Sequence, residues 1–191
     1  MTRKPNVILV NCDDLGWGDP ACYGHPRHKT PYLDQMAAEG TRFTDFYMAS
    51  PVCSPSRGGM LTGCYPRRIG FGDFDGKWVL FPGQEIGLDP AEQTIAGALK
   101  GAGYATRIIG KWHCGDQPEF LPTRHGFDGY YGIPYSNDMG RQQGRTNWPP
   151  LPLMRNEDVV EEQPDQGSVT ARYVEDAVRF MREHRDGPFF L

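Results

Sequence analysis

The sequence predicts an α/β fold in which a mostly parallel sheet is flanked by helices. Two apolar runs, residues 7–10 and 104–109, have the composition of strands that are buried on both faces of a parallel sheet. Segments with the helical spacing of apolar residues lie between and after these two runs. Polar side chains follow each run directly, and ligands in open α/β sheets bind beyond the carboxyl ends of the strands. We therefore expect both strand ends to face one crevice.

Two helix starts are predicted in the first third of the chain. Thr30-Pro31 supplies an N-cap followed by proline at the first helical position, and Gly40 ends the apolar stripe that follows. Ser54-Pro55 has the same pattern. This second start places Cys53 at a helix N-terminus.

Further elements are predicted in the second half. Asp89-Pro90 resembles a capping box and predicts a helix that ends near Gly101. An amphipathic helix is expected over residues 170–185, and the apolar residues 188–191 have the composition of a strand. No regular period is found between residues 134 and 167, so this segment is expected to be a long loop.

Composition excludes several functional classes. The 191 residues carry 20 Lys and Arg against 24 Asp and Glu, a net charge of −4, so a strongly basic nucleic-acid-binding protein is excluded. No apolar run reaches the length of a membrane span. The five cysteines are odd in number and form no Cys-x-x-Cys pair, so neither a disulfide framework nor a structural zinc site is expected.

The most specific motif is Cys53-Ser54-Pro55-Ser56-Arg57. Its four fixed positions, Cys-x-Pro-Ser-Arg, arise by chance in about one in a thousand chains of this length, which favours function over a buried cysteine beside a helix start. Helix N-termini stabilise anions and activate cysteines. Arg57, one turn further on, offers a guanidinium group to an oxyanion.

Polar pairs follow both predicted strands. Asp13-Asp14 come after the first strand, and Lys111 and His113 come after the second. Alone, adjacent carboxylates are more often a solvated turn than a metal site, and a lysine and a histidine in this position are more often surface residues. At a strand end, however, two hard carboxylates suit Ca²⁺ or Mg²⁺.

Taken together, these motifs resemble those of the type I sulfatases, and the resemblance covers essentially the whole chain. Within that family the sequence is most similar to the arylsulfatase A and N-acetylgalactosamine-6-sulfatase group. The resemblance implies an alkaline-phosphatase-like α/β sandwich, of which residues 1–191 would be the N-terminal part of the catalytic domain, truncated at its C-terminal end. Besides the cysteine motif, the matching stretches are Asn6-Val7-Ile8-Leu9-Val10-Asn11-Cys12-Asp13-Asp14-Leu15-Gly16, Thr30-Pro31-Tyr32-Leu33-Asp34, Leu61-Thr62-Gly63, Gly110-Lys111-Trp112-His113, Gly126-Phe127-Asp128 and Gly132-Ile133-Pro134-Tyr135-Ser136.

The resemblance also implies a modified nucleophile and a metal. A separate formylglycine-generating enzyme would oxidise Cys53 to formylglycine. Asp13, Asp14 and the modified residue 53 would bind a divalent ion, Ca²⁺ in preference to Mg²⁺. The metal and Arg57 would make one hydroxyl of the hydrated aldehyde more nucleophilic toward sulfur. The family's other metal ligands, an Asp-Asn pair, are absent from this chain.

Other site residues follow from the same resemblance. Lys111 would bind the sulfate, His113 would remove a proton from the second hydroxyl so that sulfate is released, and Ser136 would contact substrate. Two positions depart from the pattern. Asn137 stands where the arylsulfatases have histidine, and Cys64 replaces the usual arginine as either a structural change or a change to the rim of the site.

The implied reaction is hydrolysis of the sulfate ester of a small molecule, a carbohydrate or a lipid. Two alternatives stay open at this point: a phosphonate monoester or phosphodiester hydrolase of the same superfamily, and a non-catalytic protein that binds sulfated ligands. Because the family's remaining ligands lie further along its sequences, residues 1–191 alone are expected to be inactive as a sulfatase and poorly stable.

Overall fold

A computed structural model describes residues 4–142 and 144–191, which form two compact units. The larger unit combines the segment up to Leu9 with Ala49–Leu191, and the smaller unit is Val10–Met48. The sheet and most helices belong to the larger unit, whereas the smaller unit contains one α-helix among its described residues.

The described residues of the larger unit form a five-stranded mixed sheet. In spatial order the strands are β4 (Asp158–Glu162), β3 (Pro152–Arg155), β2 (Gly129–Gly132), β1 (Ala105–Ile109) and β5 (Phe189–Phe190). β1 pairs in parallel with β2 and with β5, whereas β3 lies antiparallel to both β2 and β4. The α/β fold class is therefore confirmed, with the parallel pairing centred on β1.

Four α-helices are found within the described ranges. They are α1 (Pro31–Glu39) in the smaller unit, and α2 (Cys53–Thr62), α3 (Ile95–Gly101) and α4 (Gln166–Glu183) in the larger unit. The predicted start of α1 at Thr30-Pro31 is confirmed, whereas α2 begins at Cys53 with Val52 as its N-cap, so the predicted N-cap Ser54 already lies inside the helix. The expected position of Cys53 at a helix N-terminus is confirmed. α4 begins four residues before the predicted start because the Asp165 carboxylate accepts a hydrogen bond from the Gly167 N–H at 3.1 Å and caps the helix there. No helix within the described ranges is long and apolar enough to span a membrane.

The helix start predicted at Asp89-Pro90 is wrong. The Asp89 carboxylate accepts a hydrogen bond from the Ala91 N–H at 2.8 Å and closes a local turn instead. α3 begins only at Ile95, because the Thr94 hydroxyl accepts the Gly97 N–H at 3.0 Å and caps the helix. A buried side-chain cap thus prevails over the capping-box pattern upstream.

Two strand predictions also need correction. Val7 forms a parallel bridge with Phe190 in β5, so the first apolar run does extend the sheet, but Ile8 and Leu9 are exposed rather than buried on both faces. The segment expected to be a loop contains the β3–β4 hairpin, whose turn includes Asn156 with φ +57°. The many prolines of this segment argued against strands in the sequence, although proline is tolerated at the first residue of a strand.

The end of β1 is held between two apolar clusters of the larger unit. Trp112 belongs to the first cluster, and Ile109 packs against the second. β1 and β2 approach so closely that a Cβ added at Gly132 would lie 1.9 Å from the Gly110 carbonyl oxygen. Only glycine fits at this position.

Candidate active site

The segment after β1 remains paired with the segment after β2. The backbone N–H groups of Trp112 and His113 donate hydrogen bonds to the carbonyls of Ile133 and Pro134, both at 3.0 Å. This pairing brings Ser136 next to Lys111, whose Nζ donates a hydrogen bond to the serine Oγ at 3.1 Å. The ammonium and the hydroxyl therefore lie together beyond the carboxyl end of β1.

The first turn of α2 joins the same cluster. Arg57 is 8% exposed, and its Nη1 donates a hydrogen bond to the Lys111 carbonyl at 2.7 Å. Cys53, one turn earlier on the helix, is half-buried and packs against the second apolar cluster. α2 lies so close to its surroundings that a Cβ at Gly58 would fall 2.5 Å from the Phe71 ring, which explains glycine inside this helix.

His113 is fully buried and has a left-handed backbone with φ +58°. A non-glycine residue in this region of φ is uncommon, and such residues concentrate at functional sites. The imidazole Nε2 lies 2.9 Å from the Leu80 carbonyl oxygen. The Leu80 N–H in turn donates a hydrogen bond to the Ser54 Oγ at 3.1 Å. Leu80 therefore links His113 to the residue that follows Cys53.

Two other groups near Arg57 stay neutral at ordinary pH. Burial raises the pKa of the Cys114 thiol to about 12, and the positive charge of Arg57 opposes this rise. The pKa of the Tyr130 hydroxyl is well above its ordinary value, mainly because of burial and of the neighbouring Tyr173. Although Cys114 follows His113 directly, its thiol is thus not a nucleophile.

Asp13 and Asp14 lie in the smaller unit. They occupy a turn in which Asp14 has φ +59°. Their carboxylates are hard donors suited to Ca²⁺ or Mg²⁺, but Ca²⁺ takes about six to eight oxygen ligands. The donor set therefore fits part of a site for a hard divalent ion.

The smaller unit also groups Asp19, His25 and His28, with one possible ligand atom from each within 4.8 Å of the others. The Nδ1 of His25 accepts hydrogen bonds from the backbone N–H groups of Arg27 and His28. The hydrogen of the neutral His25 ring is then on Nε2, which leaves that nitrogen without a lone pair for a metal. We therefore interpret the group as a hydrogen-bonded turn.

The two positions that depart from the sulfatase pattern have distinct surroundings. Asn137 donates a hydrogen bond from Nδ2 to the Gln166 Oε1 at 2.8 Å, and the Gln166 Nε2 donates to the Asn137 carbonyl. Cys64 is half-buried and packs against the first apolar cluster. This packing favours the interpretation of Cys64 as a structural change over a change to the rim of the site.

Among the predicted site residues, the larger unit brings Arg57, Lys111 and Ser136 into one chain of contacts, and Leu80 connects His113 to the start of α2. Sequence reasoning missed Leu80. Its contribution comes from backbone atoms, which any residue carries, so no sequence signal could have identified it.

Comparison with known proteins places this geometry in a family. The family model described as Sulfatase matches residues 5–191. Arylsulfatase A of Homo sapiens is 43% identical over 209 residues, which cover 100% of this chain and 40% of that protein. N-acetylgalactosamine-6-sulfatase of Homo sapiens is 41% identical and is matched over 99% of this chain and 38% of its own length. The chain belongs to the sulfatase family and spans about 40% of the length of these relatives.

Solved structures agree with the fold assignment. The structure described as Ps i-CgsB in complex with k-i-k-neocarrahexaose has a TM-score of 0.83 and 32% identity, covering 99% of this chain and 44% of that one. BT4656 in complex with D-glucosamine-2-N,6-O-disulfate has a TM-score of 0.74 and 26% identity, covering 98% and 33%. The alkaline-phosphatase-like α/β fold that the resemblance implied is confirmed.

Proposed function

We propose that the protein carrying this chain hydrolyses sulfate esters at the site that α2 and the end of β1 form. This proposal rests on two hydrogen bonds. Arg57 donates to the Lys111 carbonyl, and the Lys111 ammonium donates to the Ser136 hydroxyl. These bonds join two cationic side chains to the helix that begins at Cys53. Sulfatase family membership supports the same reaction.

The charges of the site suit a sulfate group. The N-terminus of α2 presents a partial positive charge near residue 53. Lys111 would bind a sulfate oxygen while Ser136 orients the ammonium. Arg57 fixes the backbone of Lys111 and adds a second positive charge. Such preorganised donors stabilise the charge that develops on a transferring group.

Position 53 suits the modification that the resemblance implies. When Cys53 is converted to formylglycine, the hydrated aldehyde supplies a hydroxyl nucleophile together with a second hydroxyl on the same carbon. His113 would accept the proton of that second hydroxyl, which assists release of sulfate. A formylglycine-generating enzyme is therefore the maturation partner that we propose.

We further propose that Asp13 and Asp14 hold Ca²⁺, with Mg²⁺ as the weaker candidate, because both are hard oxygen donors. Two carboxylates fall short of full coordination, so we propose that residues 1–191 work as the N-terminal part of a larger catalytic domain. Metal analysis of the complete protein tests this site. Asp14→Asn should lower the metal content, and full activity after exhaustive chelation would contradict the proposal.

A sulfated carbohydrate is the substrate class that we favour, because neocarrahexaose and a glucosamine disulfate are bound in the two structural neighbours. The activity test compares an aryl sulfate, a sulfated saccharide and an aryl phosphonate ester with the complete, co-expressed protein. Cys53→Ala should abolish sulfate release and keep the fold. Cys22→Ala, which removes another half-buried cysteine, should leave the rate unchanged. Preference for the phosphonate would instead support the alternative hydrolase.

A further inference from the structure

We infer that Ser54 and the backbone of Leu80 position His113 as a proton acceptor through Nδ1. The inference deepens the proposed function, because it takes the role of His113 from that proposal. Ser54 and His113 are fully buried and Leu80 is 3% exposed, so the two bonds that link them are shielded from water.

The first step concerns the tautomer of His113. A carbonyl oxygen only accepts hydrogen bonds, so at 2.9 Å from the Leu80 oxygen the imidazole Nε2 must carry a hydrogen. A neutral imidazole has a single N–H, and its lone pair is therefore on Nδ1. In the opposite tautomer the Nε2 lone pair would face the lone pairs of the carbonyl oxygen. The Leu80 carbonyl thus selects the form that accepts a proton at Nδ1.

The second step concerns what holds Leu80. Its N–H donates to the Ser54 Oγ at 3.1 Å, and Ser54 lies in the first turn of α2 next to residue 53. A group this deeply buried cannot exchange a lost partner for water. The helix turn that carries the nucleophile therefore also anchors the backbone that orients the base.

These two steps define the proton transfer. The O–H bond of the second hydroxyl at residue 53 breaks and the proton forms a bond with Nδ1, while the Nε2–H stays bonded to the Leu80 carbonyl. The electron pair of that O–H bond forms the C=O bond of the aldehyde as the C–O bond to the sulfate group breaks, and sulfate leaves with the electrons of that bond. The resulting imidazolium donates at both nitrogens, and the carbonyl dipole stabilises its charge. Ser54 is accordingly a positioning residue, since it acts through Leu80 and His113.

Kinetics of the complete, modified protein test the role of Ser54. The aldehyde content of each variant is measured by peptide mass spectrometry, and rates are expressed per aldehyde. Ser54→Ala should lower kcat by about 10- to 100-fold and leave KM unchanged, because a supporting hydrogen bond is lost but sulfate contacts are kept. Ser54→Thr, which restores a hydroxyl, should recover most of the rate. In the control Thr62→Ala, the change removes a hydroxyl bonded to the Gly58 carbonyl at the far end of α2, and kcat should not change.

A spectroscopic measurement tests the tautomer without any substitution at Ser54. Nitrogen-15 NMR of the histidine-labelled protein, assigned by loss of the signal in His113→Gln, should show the hydrogen of neutral His113 on Nε2. A hydrogen on Nδ1 would overturn the inference even if the protein is an active sulfatase. An unchanged kcat per aldehyde in Ser54→Ala would also overturn it. If the wild-type protein lacked activity, the proposed function would fail, and the tautomer would still decide the structural claim.

Discussion

Two polar clusters of the larger unit place positive charge in different surroundings. In the first, Arg57 donates to a backbone carbonyl and Lys111 donates to a hydroxyl, so these two bonds orient the cations through neutral acceptors. In the second, which we call the Asp176 cluster, one buried carboxylate contacts the guanidinium groups of Arg107, Arg155 and Arg179. The difference separates cations that lie beside the N-terminus of α2 from cations whose ion pairs with one buried carboxylate hold the fold.

The Asp176 cluster connects α4 to the sheet. Asp176 is 2% exposed, and its carboxylate lies 2.5 Å from the Nη2 of Arg107 in β1 and 3.1 Å from the Nη1 of Arg155 in β3. Burial lowers the pKa of Arg107, and the neighbouring charges of Arg155 and Arg179 lower it further. The carboxylate is therefore needed to compensate three cations.

The largest effect is expected for Asp176→Asn. Removal of one partner from a buried ion pair costs about 3–5 kcal/mol, because the remaining charge is left uncompensated. We expect a loss of this size in the free energy of unfolding, measured by urea denaturation, with kcat per folded molecule unchanged.

A matched control is available in the same unit. Asp186→Asn removes the partner of Arg185 in an ion pair whose side chains are both highly exposed, and it should have no measurable effect on stability. Equal losses in the free energy of unfolding for Asp176→Asn and Asp186→Asn would contradict this description of the Asp176 cluster. A lower kcat in Asp176→Asn would contradict it too.

The second effect is expected for Lys111→Ala, which removes a cation from the proposed sulfate site. Loss of one preorganised donor lowers kcat by about 100- to 1,000-fold. We expect such a loss in sulfate ester hydrolysis, with little change in the free energy of unfolding. Lys100→Ala, in which the lost ammonium pairs with Asp128 at 2.8 Å on the surface, should keep full activity. An active Lys111→Ala enzyme would contradict the assignment.

A third and smaller effect comes from a buried neutral group outside both clusters. His125 is 3% exposed, and burial lowers its pKa to about 4, despite the opposing influence of the Phe120 backbone and Asp89. The unfolded chain takes up a proton near pH 6.5, so stability that is complete above this pH is lost as the pH falls toward 4. The free energy of unfolding should fall by about 2.5 kcal/mol between pH 7 and pH 4.5 because of this group.

His125→Phe isolates this contribution, because the variant has no proton to take up at that position. Urea denaturation at pH 7 and pH 4.5 measures the free energy of unfolding at each pH. Between these two pH values the variant should lose about 2.5 kcal/mol less of this free energy than the wild type. Identical losses in the two proteins would mean that His125 is protonated as readily in the folded state as in the unfolded chain.

Sequence patterns predicted the elements whose signals are local. The prolines near their starts and the apolar spacing identified α1 and α2, and the β-branched run in β1 identified that strand. The β3–β4 hairpin was missed because its pairing depends on distant residues, and α3 was misplaced because Thr94 caps it while also donating to the distant His125 carbonyl. Tertiary contacts, which composition does not encode, decided these cases.

In the candidate site, too, some residues could be identified from local sequence signals, whereas the contacts between them could not. Cys53 and Arg57 could be singled out from motif statistics and helix chemistry, whereas the roles of Lys111, His113 and Ser136 came from the family resemblance. The bond from Lys111 to Ser136 spans 25 positions, and the link from His113 through Leu80 to Ser54 uses backbone atoms. Only the three-dimensional structure could reveal these connections.

The mass of the peptide that contains residue 53, isolated from active protein, tests the proposed nucleophile directly. We expect formylglycine at this position, with sulfate release proportional to the aldehyde fraction across preparations. Unmodified Cys53 thiol in protein with full sulfate ester hydrolysis would contradict the proposed site.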